Sequence, residues 1–305
     1  MSKILVVFGA TGNQGGSVIN HVLNDPQLSQ VYRVRAVTRN PSQPTAHNLQ
    51  AKGVEIVQAD AEDPQTLQRA LDGASTVFIL TTEGYKKARE IAQGKAIADA
   101  AVAAGLEYII YSTLPNVTEI SRGRYRKVDY YDSKAETEQY IRSLPIKSAF
   151  FAPGCYMQNY HNVMKPQDLG DGTYGIVNFV SPDTLLPLID ITDSGKFVGA
   201  ILAEPDRFEV EMFAAAEKLY SFDDVASLLS SSLGKTVKYK QVPLDTFRSY
   251  LPPDHADSLV ETMGFFEDFG YYGPRTRDLV AKGAKDATQP LTTFTAYLTQ
   301  EPVDL

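Results

Sequence analysis

Apolar residues in the first half of the chain gather into short runs, and between them the spacing changes to that of amphipathic helices. The first run, from Ile4 to Phe8, leads into a helix that carries Val18, Val22 and Leu23 on one face. Further strands are predicted at 34–38, 54–58, 77–81, 108–112 and 148–151. Helices fall between them. One opens at Asp63-Pro64, with Asp63 as N-cap and Gly73 past its end; one runs from about Tyr85 to Ala104 and stops at Gly105; one follows an irregular basic loop at about 129–142. The run at 77–81 is almost wholly apolar, as expected of a strand with helices on both faces. Strands alternating with helices predict an α/β fold with a doubly wound parallel sheet, whose crevice lies at the carboxyl ends of the strands.

Beyond Pro153 the pattern loosens. Residues 170–175 are turn-rich, 185–191 and 209–214 read as strands, and 193–202 reads as a helix free to return to the first domain. Ser221-Phe-Asp-Asp224 is a capping box for a helix carrying Val225, Leu228, Leu229 and Leu233, with Gly234 as its stop. The expectation is a Rossmann-type domain over 1–153 that also uses about 185–202. A smaller, interleaved α/β lobe over 154–305 would meet the substrate or a partner.

The segment that carries chemistry is the first strand-to-helix turn, ILVVFGATGNQGGS. Gly9 permits the sharp turn, Gly12 leaves no Cβ between backbone and a bound pyrophosphate, and Gly15 lets the helix pack on the sheet. The spacing is G-x-x-G-x-x-G rather than the commoner G-x-G-x-x-G, so its position after a strand and before a helix makes the argument. Unpaired N–H groups at the helix start then face the anion. At the end of the second strand, where an acidic residue would hold the ribose hydroxyls of NAD, stands Thr38-Arg39-Asn40. Arg39 can offer a planar fork to the 2′-phosphate of NADP, worth about 1.5–3 kcal/mol. Asp60 ends the third strand and has two readings: a contact to the adenine amino group, or a turn cap with Asp63. Thr81 and Thr82 either lie against the nicotinamide side of the cofactor or close a turn. Tyr130 and Lys134 are four apart on one helix, so they share a face. An ammonium beside a phenol favours phenolate, which suits a proton donor to a carbonyl, and the same lysine can hold the nicotinamide ribose.

Composition narrows the partners. Of 305 residues 29 are basic and 37 acidic, and the formal charge of −8 repels nucleic acid and anionic membrane. No spanning run or signal peptide is read, and the single cysteine, Cys155, fits a reducing compartment, so a cytoplasmic or nuclear protein is expected. Four histidines without paired spacing predict no metal site, and neither G-x-S-x-G nor G-K-[ST] occurs.

GATGNQGG, VTRN, QADAED, YSTLPN at 111–116, YYDSKAETEQYI and PGCYMQN at 153–159 together resemble the NmrA-like family of the atypical short-chain dehydrogenase/reductase superfamily. The resemblance spans most of the first two thirds. It implies NADP(H) on a Rossmann domain, contacted by Gly9, Thr11, Gly12, Asn13, Gln14, Gly15, Arg39, Asp60, Thr81 and Lys134. It also places the stretch Gly154–Asn159, with Tyr156, beside the nicotinamide. Some members of the family resemble reductases of small hydrophobic compounds; others are redox-sensing regulators with protein partners. Reductases usually place Ser or Thr two residues beyond Ser112, where this chain has Leu114; Ser112 or Thr113 substitutes only if the loop is shifted. Tyr130, which several sensor-type relatives lack, is present.

The expected function is therefore an NADPH-dependent oxidoreductase of a small, largely apolar carbonyl or conjugated compound, with Tyr130 and Lys134 as catalytic residues. The alternatives are an NADP(H) sensor acting through a protein partner, and an isomerase or cyclase that keeps the cofactor as scaffold. Three features have two readings each. The basic run Arg122, Arg124, Arg126, Lys127 attracts an anionic partner or is a solvated loop. The aromatic run from Met263 to Gly273 is a mobile lid or a core helix with a turn. Cys155 is a redox switch or a buried structural thiol.

Overall fold

The fold is given by a computed structural model that describes residues 2–82 and 86–305. Six strands, β1 (Lys3–Val7), β2 (Tyr32–Thr38), β3 (Glu55–Gln58), β4 (Thr76–Ile79), β5 (Tyr108–Ser112) and β6 (Lys147–Pro153), come from the first half. The second half supplies β7 (Cys155–Tyr156), β8 (Gln167–Asp168), β9 (Tyr174–Asn178), β10 (Leu185–Ile189), β11 (Met212–Ala215), β12 (Lys218–Ser221) and β13 (Val237–Gln241). The large sheet has the order β11-β6-β5-β4-β1-β2-β3, and all its pairings are parallel. The order reverses at β1, so a crevice opens at the carboxyl ends of β1, β2 and β4. β1 shows why these runs form strands: Leu5 and Val7 enter one apolar core, Val6 the core on the opposite face, and all three are fully buried.

The predicted fourth strand leaves the sheet at Ile79, and Leu80, Thr81 and Thr82 line the crevice instead. The next helix is Lys87–Ala103; the expected start at Tyr85 lies outside the described residues. Asp63 caps its helix by accepting from the Gln65 N–H, and the Ser221–Asp224 capping box and the left-handed stop at Gly234 both form.

The chain after Pro153 is interleaved with the first half. β11 completes the large sheet beside β6, while β12-β10-β7 and β13-β9-β8 form two small sheets. The helix Ser194–Ala203 lies against the first helix, Asn13–Asn24. A Cβ on Gly195 would come within 2.5 Å of the Ser17 carbonyl oxygen, so the contact requires glycine. The aromatic run is core: Phe265, Phe266, Tyr271 and Tyr272 are buried at the end of the helix Pro253–Phe269 and in the turn after it. The basic run docks on that same helix. Arg124 pairs with Asp268 at 2.8 Å, Lys127 pairs with Asp257, and Glu261 accepts from the Arg126 and Lys127 N–H groups. Among the described residues no helix is long and apolar enough to cross a membrane, and no group of three or more metal-ligating side chains occurs.

Candidate functional site

The first turn is built around its glycines. Gly9 has φ +68°, and its carbonyl accepts from the Gly12 N–H at 3.0 Å. A Cβ on Gly15 would sit 2.3 Å from that same carbonyl oxygen, so the helix can approach the strand only as glycine. Gly12 differs. It caps the helix without any side-chain hydrogen bond, and a Cβ there would meet only the Gly9 oxygen, at 3.4 Å. The protein's own packing therefore does not account for glycine at position 12, whereas a ligand lying over the turn would. Gln14 Nε2 donates to the Tyr156 hydroxyl at 2.5 Å, while its buried Oε1 has no partner. The room over Gly12 fits a phosphate group held at this helix start, whereas the Gln14 oxygen, an acceptor, calls for a donor such as a hydroxyl.

A cleft of about 270 Å³ runs from this turn across the strand ends. Gly9, Thr11, Arg39, Asp60, Thr81 and Thr82 line it together. Gly12 and Asn13 line an adjoining hollow of about 560 Å³ on the other side of the turn. Asp60 does cap a turn, accepting from the Glu62 N–H at 3.0 Å, and it faces the cleft as well. Gln43 and Gln93 also line the cleft and are additions to the residues read from sequence. Gln43 donates to Thr38 Oγ1 at 3.0 Å; Gln93 and Arg89 both donate to Glu62.

Lys134 and Tyr130 share a helix, Asp129–Arg142, but turn to different partners. Lys134 Nζ donates to the Thr81 carbonyl at 2.8 Å, to Glu90 Oε1 at 2.7 Å and, more weakly, to Thr81 Oγ1 at 3.3 Å. Glu90 is fully buried, and its other oxygen accepts from Ser133 Oγ at 2.8 Å. Burial lowers the lysine pKa and Glu90 restores only part of it; burial pushes the Glu90 carboxyl up, and Lys134, Ser133 and Thr81 outweigh that, leaving it below the ordinary range. Tyr130, by contrast, faces the helix Pro253–Phe269 and bonds Thr262 Oγ1 at 2.9 Å. Thr262 gives its own proton to the Ser258 carbonyl at 2.7 Å, so the phenol is the donor of that pair. The two side chains that share a helix face thus have hydrogen bonds to different elements.

The remaining residues read from sequence have contacts within the protein. A Cβ on Gly154 would lie 2.4 Å from the Pro187 carbonyl oxygen, which explains that glycine without a cofactor. Asn159 Nδ2 reaches Cys155 Sγ at 3.5 Å, and burial pushes the Cys155 thiol up to about 11, the reverse of a reactive thiolate. Of the two candidates for the missing hydroxyl, Ser112 is buried and Thr113 Oγ1 donates to Glu138 at 2.7 Å; Leu114 is buried as well. Glu90 was missed. Its signal was present: the buried stripe of its helix is Glu90, Ile91, Gly94, Ile97, Ala98 and Ala101, and an acid on such a stripe needs a partner.

A wholly parallel sheet with a glycine-built, uncapped helix start at its switch point defines an α/β protein of the dinucleotide-fold class. The chain belongs to the NmrA-like family, whose model matches residues 1–298. An NmrA-like family domain-containing protein of Dictyostelium discoideum is 30% identical over 98% of this chain and 97% of its own. The NmrA-like family domain-containing oxidoreductase lnaB of Aspergillus flavus is 29% identical over 91% and 88%. Among solved structures, NmrA, a negative transcriptional regulator crystallised with NAD, is 25% identical with a TM-score of 0.80, over 98% and 95% of the two chains. The same regulator is also solved with NADP. The Citrobacter sp. triphenylmethane reductase complexed with NADP(H) shares the fold at 22% identity and a TM-score of 0.77, over 98% and 99%.

Proposed function

We propose that this protein binds NADP(H) and is an oxidoreductase of a small, largely apolar carbonyl or conjugated compound. The observation that carries the cofactor is that Arg39 lines the same cleft as Gly9 and Thr11, at the strand end where an NAD-specific site would hold an acid. Relatives of the same fold crystallised with NAD and with NADP(H) support a dinucleotide, and the arginine supports the phosphorylated one. Family members described as oxidoreductases support the reaction class.

When bound, the cofactor supplies hydride. The N–H groups after Gly12 would hold its pyrophosphate, Arg39 would hold the 2′-phosphate, and Thr81 and Thr82 would border its nicotinamide end. Tyr130 holds a proton, and for an acid role its phenol must turn from Thr262 to the substrate. Calorimetry with NADP⁺, NADPH and NAD⁺ tests the binding. NADP⁺ is expected to bind about ten- to hundredfold tighter than NAD⁺, with the preference lost in Arg39→Ala. Equal heats and affinities for both nucleotides would remove the assignment. Loss of NADPH absorbance with quinone or aldehyde substrates tests the reaction, and Tyr130→Phe turning over at the wild-type rate would remove the proton role.

A second reading, an NADP(H) sensor, is favoured by one set of contacts: Lys134, Thr113 and Tyr130 are each hydrogen-bonded within the protein, to Glu90, Glu138 and Thr262. A sensor requires a partner whose affinity differs between the NADP⁺ and NADPH forms. Such a difference, together with no turnover of any carbonyl or quinone, would decide for it.

A further inference from the structure

The buried acid Glu90 belongs to none of the roles above, and its surroundings are built around it. It stands in the first turn of the helix Lys87–Ala103, where the helix dipole favours a negative charge. One turn on, Gly94 lets this helix meet Asp129–Arg142 closely: a Cβ at 94 would come within 2.5 Å of Thr137 Cγ2. Thr137 is itself one turn beyond Ser133, so the same close approach brings Glu90 into reach of Ser133 and Lys134. Thr81 Oγ1 donates to Glu90 Oε1 at 2.8 Å, and the Thr81 carbonyl accepts from Lys134. Thr81 thus joins the ion pair to the cleft wall it lines.

We propose that Glu90 is a positioning residue that fixes the Lys134 ammonium against Thr81 and cancels its charge, so that the nicotinamide end of the cleft presents no net charge. The proposal rests on the reading of this cleft as an NADP(H) site. Oxidised and reduced cofactor differ by one positive charge on the nicotinamide ring, so the charge carried by this pair sets which form binds better. An uncompensated ammonium disfavours NADP⁺ relative to NADPH; an uncompensated carboxylate does the reverse. Among the described residues, the other titratable groups facing the pair are Tyr111, whose hydroxyl is 3.4 Å from Thr81 Oγ1, and Glu138, which acts on Tyr111. Burial holds Tyr111 protonated across the working range, and Glu138 is occupied by Thr113 and Arg142. Neither neutralises Lys134 in place of Glu90.

The test is the ratio of dissociation constants, NADP⁺ over NADPH, measured by calorimetry on the full chain with turnover absent. Glu90→Gln is expected to raise the ratio about tenfold at about pH 6. The rise fades toward about pH 9 as the unpaired buried lysine loses its proton, at lower pH than in the wild type. Lys134→Gln is expected to move the ratio in the opposite direction, most at high pH, and the double variant to return it to the wild-type value. A purely structural role would weaken both forms alike, with no sign reversal and no pH dependence, and that result would overturn the proposal. If Glu90→Gln does not fold, Lys134→Gln and the double variant still give the reversal and its cancellation. Wild-type protein that binds neither form removes the cofactor reading and this proposal with it; wild-type binding with unmoved ratios removes this proposal alone.

Discussion

Gly94→Ala sets two effects of known size against each other. In a helix interior alanine is favoured over glycine by about 1 kcal/mol, because the unfolded chain loses freedom it would otherwise keep. Against that, the new methyl would stand 2.5 Å from Thr137 Cγ2 and 3.2 Å from Thr137 Oγ1. Carbon atoms rest at about 3.5–4.0 Å, so the overlap is about 1 Å between two buried helices. Overpacking of this kind costs about 1–3 kcal/mol. Thr137 cannot simply swing away, since it is fully buried and its hydroxyl donates to the Ser133 carbonyl at 2.9 Å. The overlap outweighs the helix gain, and a net loss of about 1–2 kcal/mol is expected, a fall of several degrees in Tm. Thr137→Ser removes the offending methyl and keeps the hydroxyl, so the double variant should recover most of the loss. Gly16→Ala provides the contrast: its Cβ would find nothing nearer than 3.8 Å, and a small gain in thermal stability of the free protein is expected. Thermal unfolding of the four proteins decides it. A Gly94→Ala midpoint at or above the wild type, or one indifferent to Thr137→Ser, would refute the close-packing argument.

Three further outcomes follow from the same geometry. Gly15→Ala puts a Cβ 2.3 Å from a backbone oxygen that has no rotamer to escape into, so NADPH affinity should fall by about a hundredfold or more; titration within about twofold of wild type would show that the helix does not need that approach. Cys155, with its thiol pushed up to about 11, should react with iodoacetamide at pH near 8 about two orders of magnitude more slowly than a free cysteine, and labelling at the free-thiol rate would reopen a redox role. Glu90 has a folded-state pKa below its ordinary 4.5, so the unfolded chain binds more protons in that window. Its contribution is present above about 4.5 and is lost as pH falls through the folded value. Glu90→Gln should therefore be less stable at neutral pH, by about 3–5 kcal/mol for an unpaired buried partner, and decline less steeply in acid; parallel urea-midpoint profiles would count against this.

The sheet was legible because its information is local. Both-face burial makes β1, β4 and β5 continuous apolar runs, and Asp63, Ser221 and Gly234 mark helix ends through groups within a turn of them. Strand ends were less legible: 77–81 is apolar through Leu80, yet pairing stops at Ile79 because the next residues turn outward to form the crevice. The second lobe was least legible. The position of β11 at the edge of the large sheet, and of the helix Ser194–Ala203 on the first helix, depends on contacts such as Gly195 against Ser17 that no periodicity announces. The basic run reads from sequence as a solvated loop or as a patch for an anionic partner; neither reading foresees Asp257, Glu261 and Asp268, brought to it by a helix more than a hundred residues on, with 135 positions between Arg126 and Glu261.

The same limit governs the Tyr130 and Lys134 pair, and it bears on function. Spacing of four places two side chains on one helical face, but a face is wide enough to meet two neighbours. Here Lys134 meets a helix of the first half and Tyr130 a helix of the second, through Glu90 and Thr262. A cation acts more weakly on a neighbouring phenol when a carboxylate compensates it, and Lys134 lies 2.7 Å from Glu90. The lysine is an oriented donor to the Thr81 carbonyl just beyond β4. A proton role for Tyr130 bears on its bond to Thr262, through which the helix Pro253–Phe269 holds the hydroxyl. A reductase that uses Tyr130 as its acid would have to redirect that hydroxyl to the substrate, and a sensor would not.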